Sequence, residues 1–293
     1  RSYTVNFNGA ALTADTDYTV TITDSNNQVV TDSVKVRGIY KLTVTGTGDY
    51  RGSMSKDITV LGLLSGDGSV ETPYLINNNE DWDIFAANVN NGRNYNGKYI
   101  QMTDSITVTK MAGVNKDNSF QGTFLGTAGK AMKLNLTGTS NDCAPFANLK
   151  DATIKDLNIT GTITTGYKYA ASIAAHTYGT TNIKNCVSTV EITSTFPNAN
   201  TDGTHAGFVA VKESQCVLNI DSCVFRGKLL GANATSNGGF VGFANQDGNK
   251  MISYTDCLFA PAEITMSAEN SATFNRNGVN TFTRTYYLTQ LDL

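Results

Sequence analysis

The chain of 293 residues is long enough for two domains, or for one domain followed by an array of repeats. Its net charge is −3 and its 22 lysine and arginine residues form no run, which excludes the basic patch that a duplex nucleic acid requires. No apolar run approaches the roughly 20 residues that span a bilayer, and the five cysteines show neither a CxxC pair nor a metal-ligand spacing.

The composition, with 27 glycines, 4 prolines and 16% charged residues, favours strands joined by tight turns. Within the first 60 residues, apolar and polar positions alternate in the short runs YTVNF, YTVTI, VVTDSVKV, YKLTV and DITV. Alternation of this kind predicts half-buried strands, and so many in one short region predict a small antiparallel sandwich. The stretch YKLTVTGTGDYRGSMSKDITV resembles the immunoglobulin-like modules of bacterial surface proteins. We therefore expect an immunoglobulin-like β-sandwich over residues 1–60 and a linker, LGLLSGDGSVET, over 61–72.

The next segment, NNNEDWDIFAANVNNG, predicts a helix over about residues 79–90. Asn79 is a suitable N-cap, and the acidic residues that follow it complement the helix dipole. The spacing i, i+3, i+4, i+7 creates one apolar face, whose members are Trp82, Phe85, Ala86 and Val89. We expect this face to cover other hydrophobic residues and to bind no ligand.

From residue 144 onward the sequence repeats a group of three short strands. A small-residue strand recurs as APFANL, AASIAA, AGFVAV and GGFVGF, and a second strand as ATIKDL, TNIKNC, LNIDSC and ISYTDC. A third strand follows as GTITT, VEITS, GKLLG and AEITM. The four second-strand sequences end at residues 157, 186, 223 and 257, and these positions are separated by 29, 37 and 34 residues. This period predicts a parallel β-helix over residues 73–293, in which each coil stacks on the one before.

The repeat predicts that Leu157, Cys186, Cys223 and Cys257 occupy one column inside the stack. Equivalent residues of a parallel stack lie roughly 4.8 Å apart, so like side chains pack on like. Cysteine behaves in such a position as a small hydrophobic residue, and we expect these thiols to be reduced and buried. A short polar residue precedes each column member, as a turn at a corner requires.

These patterns together resemble surface proteins of anaerobic bacteria that carry GLUG-type β-helical repeats. The resemblance is carried by residues 68–108, by FQGTFLG at 120–126, and by the Gly-Phe-Val-Gly strands and Ile-x-Asn-Cys phrases. It implies a right-handed parallel β-helix whose N-terminal end is closed by a helix, a role that falls here on Trp82, Phe85 and Val89. It also implies a function in adhesion and no catalytic residues. Leu125 replaces the Asp of the commoner Phe-x-Gly-x-Phe-Asp-Gly form.

An enzyme that acts on polysaccharides is the alternative function, because parallel β-helices also carry lyases and glycosidases. The third strands align Thr162, Glu191, Lys228 and Glu263, which places the two glutamates two coils apart, roughly 9–10 Å. That separation is near the upper limit of about 6.5–9.5 Å for an inverting glycosidase. Lys228 between them is more typical of a charge ladder. His176 and His205 fall at opposite ends of one face, which excludes a shared catalytic site.

The insertions at 196–205 and 244–250 fall in the same general part of the repeat and provide loops for binding. Exposed tyrosines and asparagines suit a glycan or a surface protein. The candidate ligand-binding residues are Tyr167, Tyr169, Tyr178, Asp202 and His205. The sequence begins RSYTVNFNG, which we interpret as a processed fragment of a secreted or surface-attached protein. We expect a monomer without a catalytic site, a cofactor, a metal, a nucleic-acid partner or a membrane span.

Overall fold

The computed structural model describes residues 4–31, 34, 38–60, 62–196, 204–245 and 251–291. Within these ranges the chain consists of strands and turns with one α-helix, which confirms the predicted all-β class. The chain divides into two compact units, unit 1 over residues 1–63 and unit 2 over residues 64–293. In the described ranges, no helix has the length and apolar character that crossing a membrane demands.

Unit 1 contains a three-stranded antiparallel sheet and a short hairpin. Its strands are β1 (Asn6–Phe7), β2 (Ala10–Ala11), β3 (Tyr18–Thr23), β4 (Gly38–Gly46) and β5 (Ser53–Val60). Strand β4 pairs with both β3 and β5, and the β1–β2 hairpin brings the Phe7 ring to 5.5 Å from the Tyr50 ring. The predicted strand VVTDSVKV lies partly outside the described residues. The described strands thus define an antiparallel sheet, while the full sandwich stays a prediction.

Unit 2 begins with β6, continues with helix α1 and then consists of short strands. In chain order these elements are β6 (Tyr74–Ile76), α1 (Asn79–Asn90), β7 (Tyr99–Met102), β8 (Ile106–Val108), a 3-10 helix (Lys116–Asn118), β9 (Thr123–Leu125), β10 (Ala131–Thr137), β11 (Asp142–Cys143), β12 (Phe146–Lys150), β13 (Thr153–Lys155), β14 (Asn158–Thr165), β15 (Tyr169–Ala171), β16 (Ala174–Tyr178), β17 (Thr180–Lys184), β18 (Val187–Ser188), β19 (Glu191–Ser194), β20 (His205–Ala206), β21 (Val209–Lys212), β22 (Val217–Asp221), β23 (Val224–Phe225), β24 (Lys228–Leu230), β25 (Val241–Ala244), β26 (Met251–Thr255), β27 (Leu258–Phe259), β28 (Glu263–Ile264), β29 (Asn275–Arg276), β30 (Val279–Thr283) and β31 (Tyr286–Tyr287).

The strands of unit 2 form parallel sheets in which each strand pairs with its equivalents in the neighbouring repeats. Sheet A has eight strands in the order β30-β26-β22-β17-β13-β9-β7-β6, and sheet C has five in the order β12-β16-β21-β25-β29. Sheet B has ten strands, including β14, β19, β24 and β28, and a small corner sheet contains β11, β15 and β20. From β12 onward, each repeat adds one strand to sheet C and one to sheet A. It then adds one or two strands to sheet B.

The corner between sheets A and B explains why the sequences TNIKNC, LNIDSC and ISYTDC each end in a short polar residue followed by cysteine. The residue before each column member has a left-handed backbone, with φ of 61° at Asp156, 50° at Asn185, 55° at Ser222 and 53° at Asp256. Short polar residues tolerate this conformation better than other side chains with a Cβ. The pairing of Lys184 with Asp221 and of Val187 with Val224 places Cys186 and Cys223 in register.

All five cysteines of the protein are free thiols and buried. In the column, each sulfur lies 3.2 Å from the carbonyl oxygen two residues earlier, that of Lys184, Asp221 or Thr255. Burial raises the pKa of Cys223 and raises that of Cys257 to about 11. The thiols of Cys223 and Cys257 are therefore protonated near neutral pH. A thiol in this position is a weak hydrogen-bond donor as well as a small apolar group.

The core of unit 2 lies between the sheets and is continuous along the repeats. Aromatic rings stack from one repeat to the next, with Phe208 at 5.1 Å from Phe240, and Phe240 at 5.9 Å from Phe274. The small residues before these rings are also required by packing, because a Cβ on Gly239 would overlap the carbonyl oxygen of Thr273. The recurring Ala/Gly strand thus follows from the close approach of one repeat to the next.

Helix α1 buries its apolar face against aromatic residues of the first repeats. Trp82, Phe85 and Val89 are all fully buried. The Trp82 ring lies 5.9 Å from Phe124 and 5.6 Å from Phe146, and its Nε1 donates to the carbonyl of Lys110. The face therefore covers hydrophobic residues.

The N-cap of α1 differs from the prediction by one residue. Asn78, and not Asn79, caps the helix by accepting a hydrogen bond from the Asp81 amide, since Asn79 instead accepts one from the Thr107 amide. The boundary after residue 63 falls inside the predicted linker 61–72. Leu64 joins the core of unit 2 and the Ser65 carbonyl accepts from the Leu75 amide, so the segment from Leu64 onward is packed rather than a free tether.

Candidate functional site

The candidate site is built on sheet C, where side chains of successive repeats stand in cross-strand rows. One row runs Asn148, His176, Val211, Phe243 and Arg276, as the pairing of β12, β16, β21, β25 and β29 shows. A neighbouring row begins with the paired Lys150 and Tyr178. Beside it lie Glu213 and Asn245, the residues that follow β21 and β25, whose amides donate to the carbonyls of Thr177 and Lys212. We call these two rows, with Tyr169 beside them, the aromatic face. Parallel pairing is what brings residues so far apart in the chain onto one surface.

His176 is at the centre of a small network of charges on this face. Its Nδ1 lies 2.7 Å from Glu213 Oε1 and its Nε2 lies 3.1 Å from Asp142 Oδ1. The second oxygen of Glu213 accepts a hydrogen bond from Asn245 Nδ2 at 2.9 Å. Both ring nitrogens of His176 are thus held between two carboxylates contributed by different repeats.

The network keeps His176 positively charged. Burial alone would lower the pKa of His176, but the hydrogen bonds to Asp142 and Glu213, together with their negative charges, raise it to about 9. The same hydrogen bond from His176 lowers the pKa of Glu213. Since an imidazolium donates from both nitrogens and has no lone pair to accept a proton, His176 cannot act as a general base near neutral pH.

Two of the predicted tyrosines flank His176. The Tyr169 ring meets the imidazole edge-on at 4.8 Å, and the Tyr178 ring stacks on it at 6.5 Å. Lys116 places its amine 5.0 Å from the centre of the Tyr178 ring. Burial, reinforced by the charges of Glu213 and Asp142, raises the pKa of Tyr178, so its hydroxyl stays protonated.

An open cleft of about 310 Å³ lies on the aromatic face. Its lining combines two aromatic rings with amide, carboxylate and guanidinium groups, together with Thr204 and Val211: Tyr169, Glu213, Phe243, Asn245 and Arg276. The Arg276 guanidinium lies 5.1 Å from the centre of the Phe243 ring and donates to the Thr204 hydroxyl at 3.0 Å. We call this the first cleft.

The other predicted ligand-binding residues lie elsewhere. Tyr167 is exposed but does not line the first cleft, and Asp202 lies outside the described residues. His205 is fully buried, with its Nδ1 3.3 Å from Asn237 Oδ1, so its side chain does not reach the surface. Among the predicted residues that the structure describes, Tyr169 lines the first cleft, whereas Tyr178 does not and instead stacks on His176.

The two insertions predicted to share one part of the repeat begin at different corners. The first follows β19 of sheet B and the second follows β25 of sheet C. One described residue of each insertion, Thr204 in the first and Asn245 in the second, nevertheless lines the first cleft. The cleft is therefore a place where residues of both insertions come together from two different corners.

Glu191, Lys228 and Glu263 stand side by side on sheet B, in the register that the repeat predicts. The Lys228 amine lies 3.6 Å from Glu191 and 3.2 Å from Glu263, and all three side chains are about half exposed or less. The charges of both glutamates raise the pKa of Lys228, with its hydrogen bond to Glu263 as the largest cause. This geometry is that of a charge ladder, in which the cation occupies the space that a glycosidic bond would need.

Sequence reasoning missed the network of Asp142, His176 and Glu213, and also missed Phe243 and Arg276. One signal was present: His176 and Glu213 are separated by 37 residues, about one repeat period. Asp142 is likewise 34 residues from His176, although it enters from the corner sheet and not from sheet C. Among the residues that the structure describes, no group of three His, Cys, Asp or Glu side chains could hold a metal ion.

No protein-family model matches the sequence, and the curated proteins contain no significant match to it.

Proposed function

We propose that this protein is a non-catalytic adhesion or ligand-presentation module of a bacterial surface protein, and that it acts as a monomer outside the cell. In this proposal unit 2 is a right-handed parallel β-helix closed at its N-terminal end by α1, and unit 1 is an immunoglobulin-like module. The repeated parallel pairing of sheets A, B and C supports the helical architecture. The hand follows from the general preference of parallel strands for right-handed crossovers.

The observation that carries the function is the first cleft. A ligand site typically combines apolar or aromatic walls with a few fixed polar groups. Tyr169 and Phe243 provide rings against which the apolar side of a sugar or a peptide packs. Asn245 and Glu213 provide polar groups already oriented by hydrogen bonds, so binding costs little further ordering. A host or environmental glycan, or a surface protein, is the ligand that fits this combination.

The alternative is an enzyme that cleaves polysaccharides, and two contacts weigh against it. His176 is fixed as a cation by two carboxylates, which removes it as a base. Lys228 bridges Glu191 and Glu263, which removes the space for a sugar between them. The resemblance to surface proteins with GLUG-type repeats also favours adhesion.

A binding array of glycans, mucins and extracellular-matrix proteins, read alongside an activity assay on the same polymers, tests this function. We expect saturable binding without release of products. Tyr169→Ala should weaken binding by about tenfold or more, because a ring that contacts a ligand contributes about 1–3 kcal/mol of burial.

Tyr167→Ala is the matched control, since Tyr167 is an exposed tyrosine two residues away that does not line the first cleft. Equal loss of binding in both variants would place the ligand elsewhere. Release of shortened polymer would favour the enzyme instead.

A further inference from the structure

A separate pocket, of about 220 Å³, lies at the edge of sheet A where three of its strands begin. Its walls come from the turns before β7, β9 and β13 and from the first residues of β7 and β9. The side chains that line it are Asn96, Tyr99, Gln121, Thr123 and Asp151. We call it the corner pocket. Among the described residues, it shares none of its lining with the first cleft.

The corner pocket has a fixed shape. A Cβ on Gly122 would lie 2.7 Å from the carbonyl oxygens of Tyr95 and Lys98, so only glycine fits where these turns approach each other. The Asp151 carboxylate is held in place, because its Oδ1 accepts a hydrogen bond from the Thr180 amide at 2.8 Å. The pocket is therefore formed before a ligand arrives.

The polar groups of the corner pocket are accessible. Asn96 and Asp151 are exposed, and Tyr99, Gln121 and Thr123 are partly exposed. Among the residues that the structure describes, none forms a hydrogen bond with the side chains of Asn96, Tyr99, Gln121 or Thr123. A ligand can therefore bond these groups without breaking a bond within this part of the protein.

The chemistry of the lining matches a neutral sugar. Two amides and two hydroxyls both donate and accept hydrogen bonds, and a carboxylate accepts them from sugar hydroxyls. The Tyr99 ring provides a surface for the C–H side of a pyranose. Asp151 carries the one charge among the described residues that line the pocket, so it repels an anionic ligand. The volume is below the roughly 300–1,000 Å³ of pockets for drug-sized ligands, which limits the occupant to one ring.

We infer that the corner pocket binds one neutral pyranose ring of a glycan. In this arrangement Asp151 accepts hydrogen bonds from sugar hydroxyls, the amides of Asn96 and Gln121 bond further hydroxyls, and the ring packs on Tyr99. The inference goes beyond the first cleft, because it adds a second site and the class of ligand for it. It does not require the first cleft to bind any ligand.

Saturation-transfer NMR on the whole chain tests the inference, because this method detects the weak binding of a single sugar. The neutral probes are the methyl glycosides of glucose, galactose, mannose and N-acetylglucosamine. The methyl glycoside of galacturonic acid is the charged counterpart of the galactose probe. We expect saturation transfer to at least one neutral probe at millimolar concentration and none to the galacturonate. Absence of transfer to all four neutral probes, or equal transfer to the galacturonate, overturns the inference.

Asp151→Asn removes the charge of the carboxylate and leaves the turn intact. Asparagine keeps an acceptor for the Thr180 amide and tolerates the left-handed backbone, with its φ of 51°, so Tm should not change. Affinity for the neutral probe should fall about tenfold through loss of charge-assisted hydrogen bonds. Gln121→Ala removes an amide that has no partner among the described residues, and it should weaken binding about fivefold at an unchanged Tm.

Asp156→Asn is the matched control, since Asp156 also has a left-handed backbone, with a φ of 61°, but does not line the corner pocket. It should leave affinity unchanged. If Asp151→Asn and Gln121→Ala both keep full affinity, the inference is wrong. Loss of binding in Tyr169→Ala with full affinity in Asp151→Asn would refute the corner pocket and leave the proposed function standing. The reverse result would support the corner pocket and count against the first cleft.

Discussion

The two units of this protein solve the same problem, how to bury one side of a sheet, in different ways. In unit 1 each strand pairs with its neighbour along the chain, and among its described hydrophobic residues only Tyr18 and Tyr40 are buried. In unit 2 each strand pairs with the equivalent strand one repeat away, and the sheets share a continuous core. The difference teaches that stability per residue depends on how many sheets share a core, and not on how many strands form.

We therefore expect two separable unfolding transitions, of which that of unit 2 lies at the higher denaturant concentration. The sequence supplies convenient reporters, because the single tryptophan and all five cysteines belong to unit 2. Tryptophan fluorescence and thiol labelling follow unit 2 alone, whereas circular dichroism follows both units.

The largest change is expected for Trp82→Ala. It removes a fully buried ring that packs on Phe85, Phe124 and Phe146, and should destabilise unit 2 by about 3–5 kcal/mol. Urea unfolding followed by circular dichroism and thiol labelling measures the loss, and the transition of unit 1 should stay in place. Trp82→Phe, which keeps an aromatic ring but not the bond to Lys110, should cost less. A loss below about 1 kcal/mol for Trp82→Ala would contradict the packing described for α1.

The next effect is a dependence of unit 2 on pH. The folded state raises the pKa of His176 from an ordinary 6.5 to about 9, so its stabilisation is complete below pH 6.5 and is lost as the pH rises through about 9. The loss should be on the order of 2 kcal/mol, measured by urea unfolding of wild-type protein across this range.

His176→Gln tests the assignment of that dependence. The variant should be less stable at pH 6, because it leaves Asp142 and Glu213 near each other without a cation between them. Its stability should change little between pH 6.5 and pH 9. A wild-type pH dependence that persists in the variant would assign it to other groups.

A smaller effect is expected in the cysteine column. Cys223→Ala removes a buried sulfur and should cost about 0.5–1.5 kcal/mol, close to the cost of deleting one buried methyl group. In the native wild-type protein all five thiols should resist alkylation, and they should react once unit 2 unfolds. Rapid labelling of Cys186, Cys223 and Cys257 in the native protein would contradict the alignment of the repeats that places these cysteines in one buried column.

The smallest effect is expected at the charge ladder of sheet B. Lys228→Gln removes the cation between Glu191 and Glu263, but all three side chains are between 39% and 48% exposed, so solvent screens their charges. Tm should fall slightly at low salt, and the difference from wild type should disappear at high salt. Glu191→Gln is the control, since it relieves repulsion in the Lys228→Gln background and should restore Tm there. A large fall in Tm that does not depend on salt would show that the charge ladder has a buried structural role.

Much of unit 2 could be predicted because equivalent residues recur at regular intervals in its sequence. The period alone aligned Glu191, Lys228 and Glu263, and it aligned Cys186 with Cys223 and Cys257, since a parallel stack places equivalent residues side by side. The apolar spacing of Trp82, Phe85 and Val89 likewise identified the face that α1 buries. The N-cap was misplaced by one residue because three consecutive asparagines offer equivalent caps.

The sites that distinguish this chain from a regular array depend on tertiary structure. Asp142 reaches His176 from another sheet, and Thr204 and Asn245 approach one cleft from different corners. The sequence by itself determined which residues share a column, because that depends on distance along the chain. Only the fold decided which columns and corners face each other, because that depends on how the chain turns between its sheets.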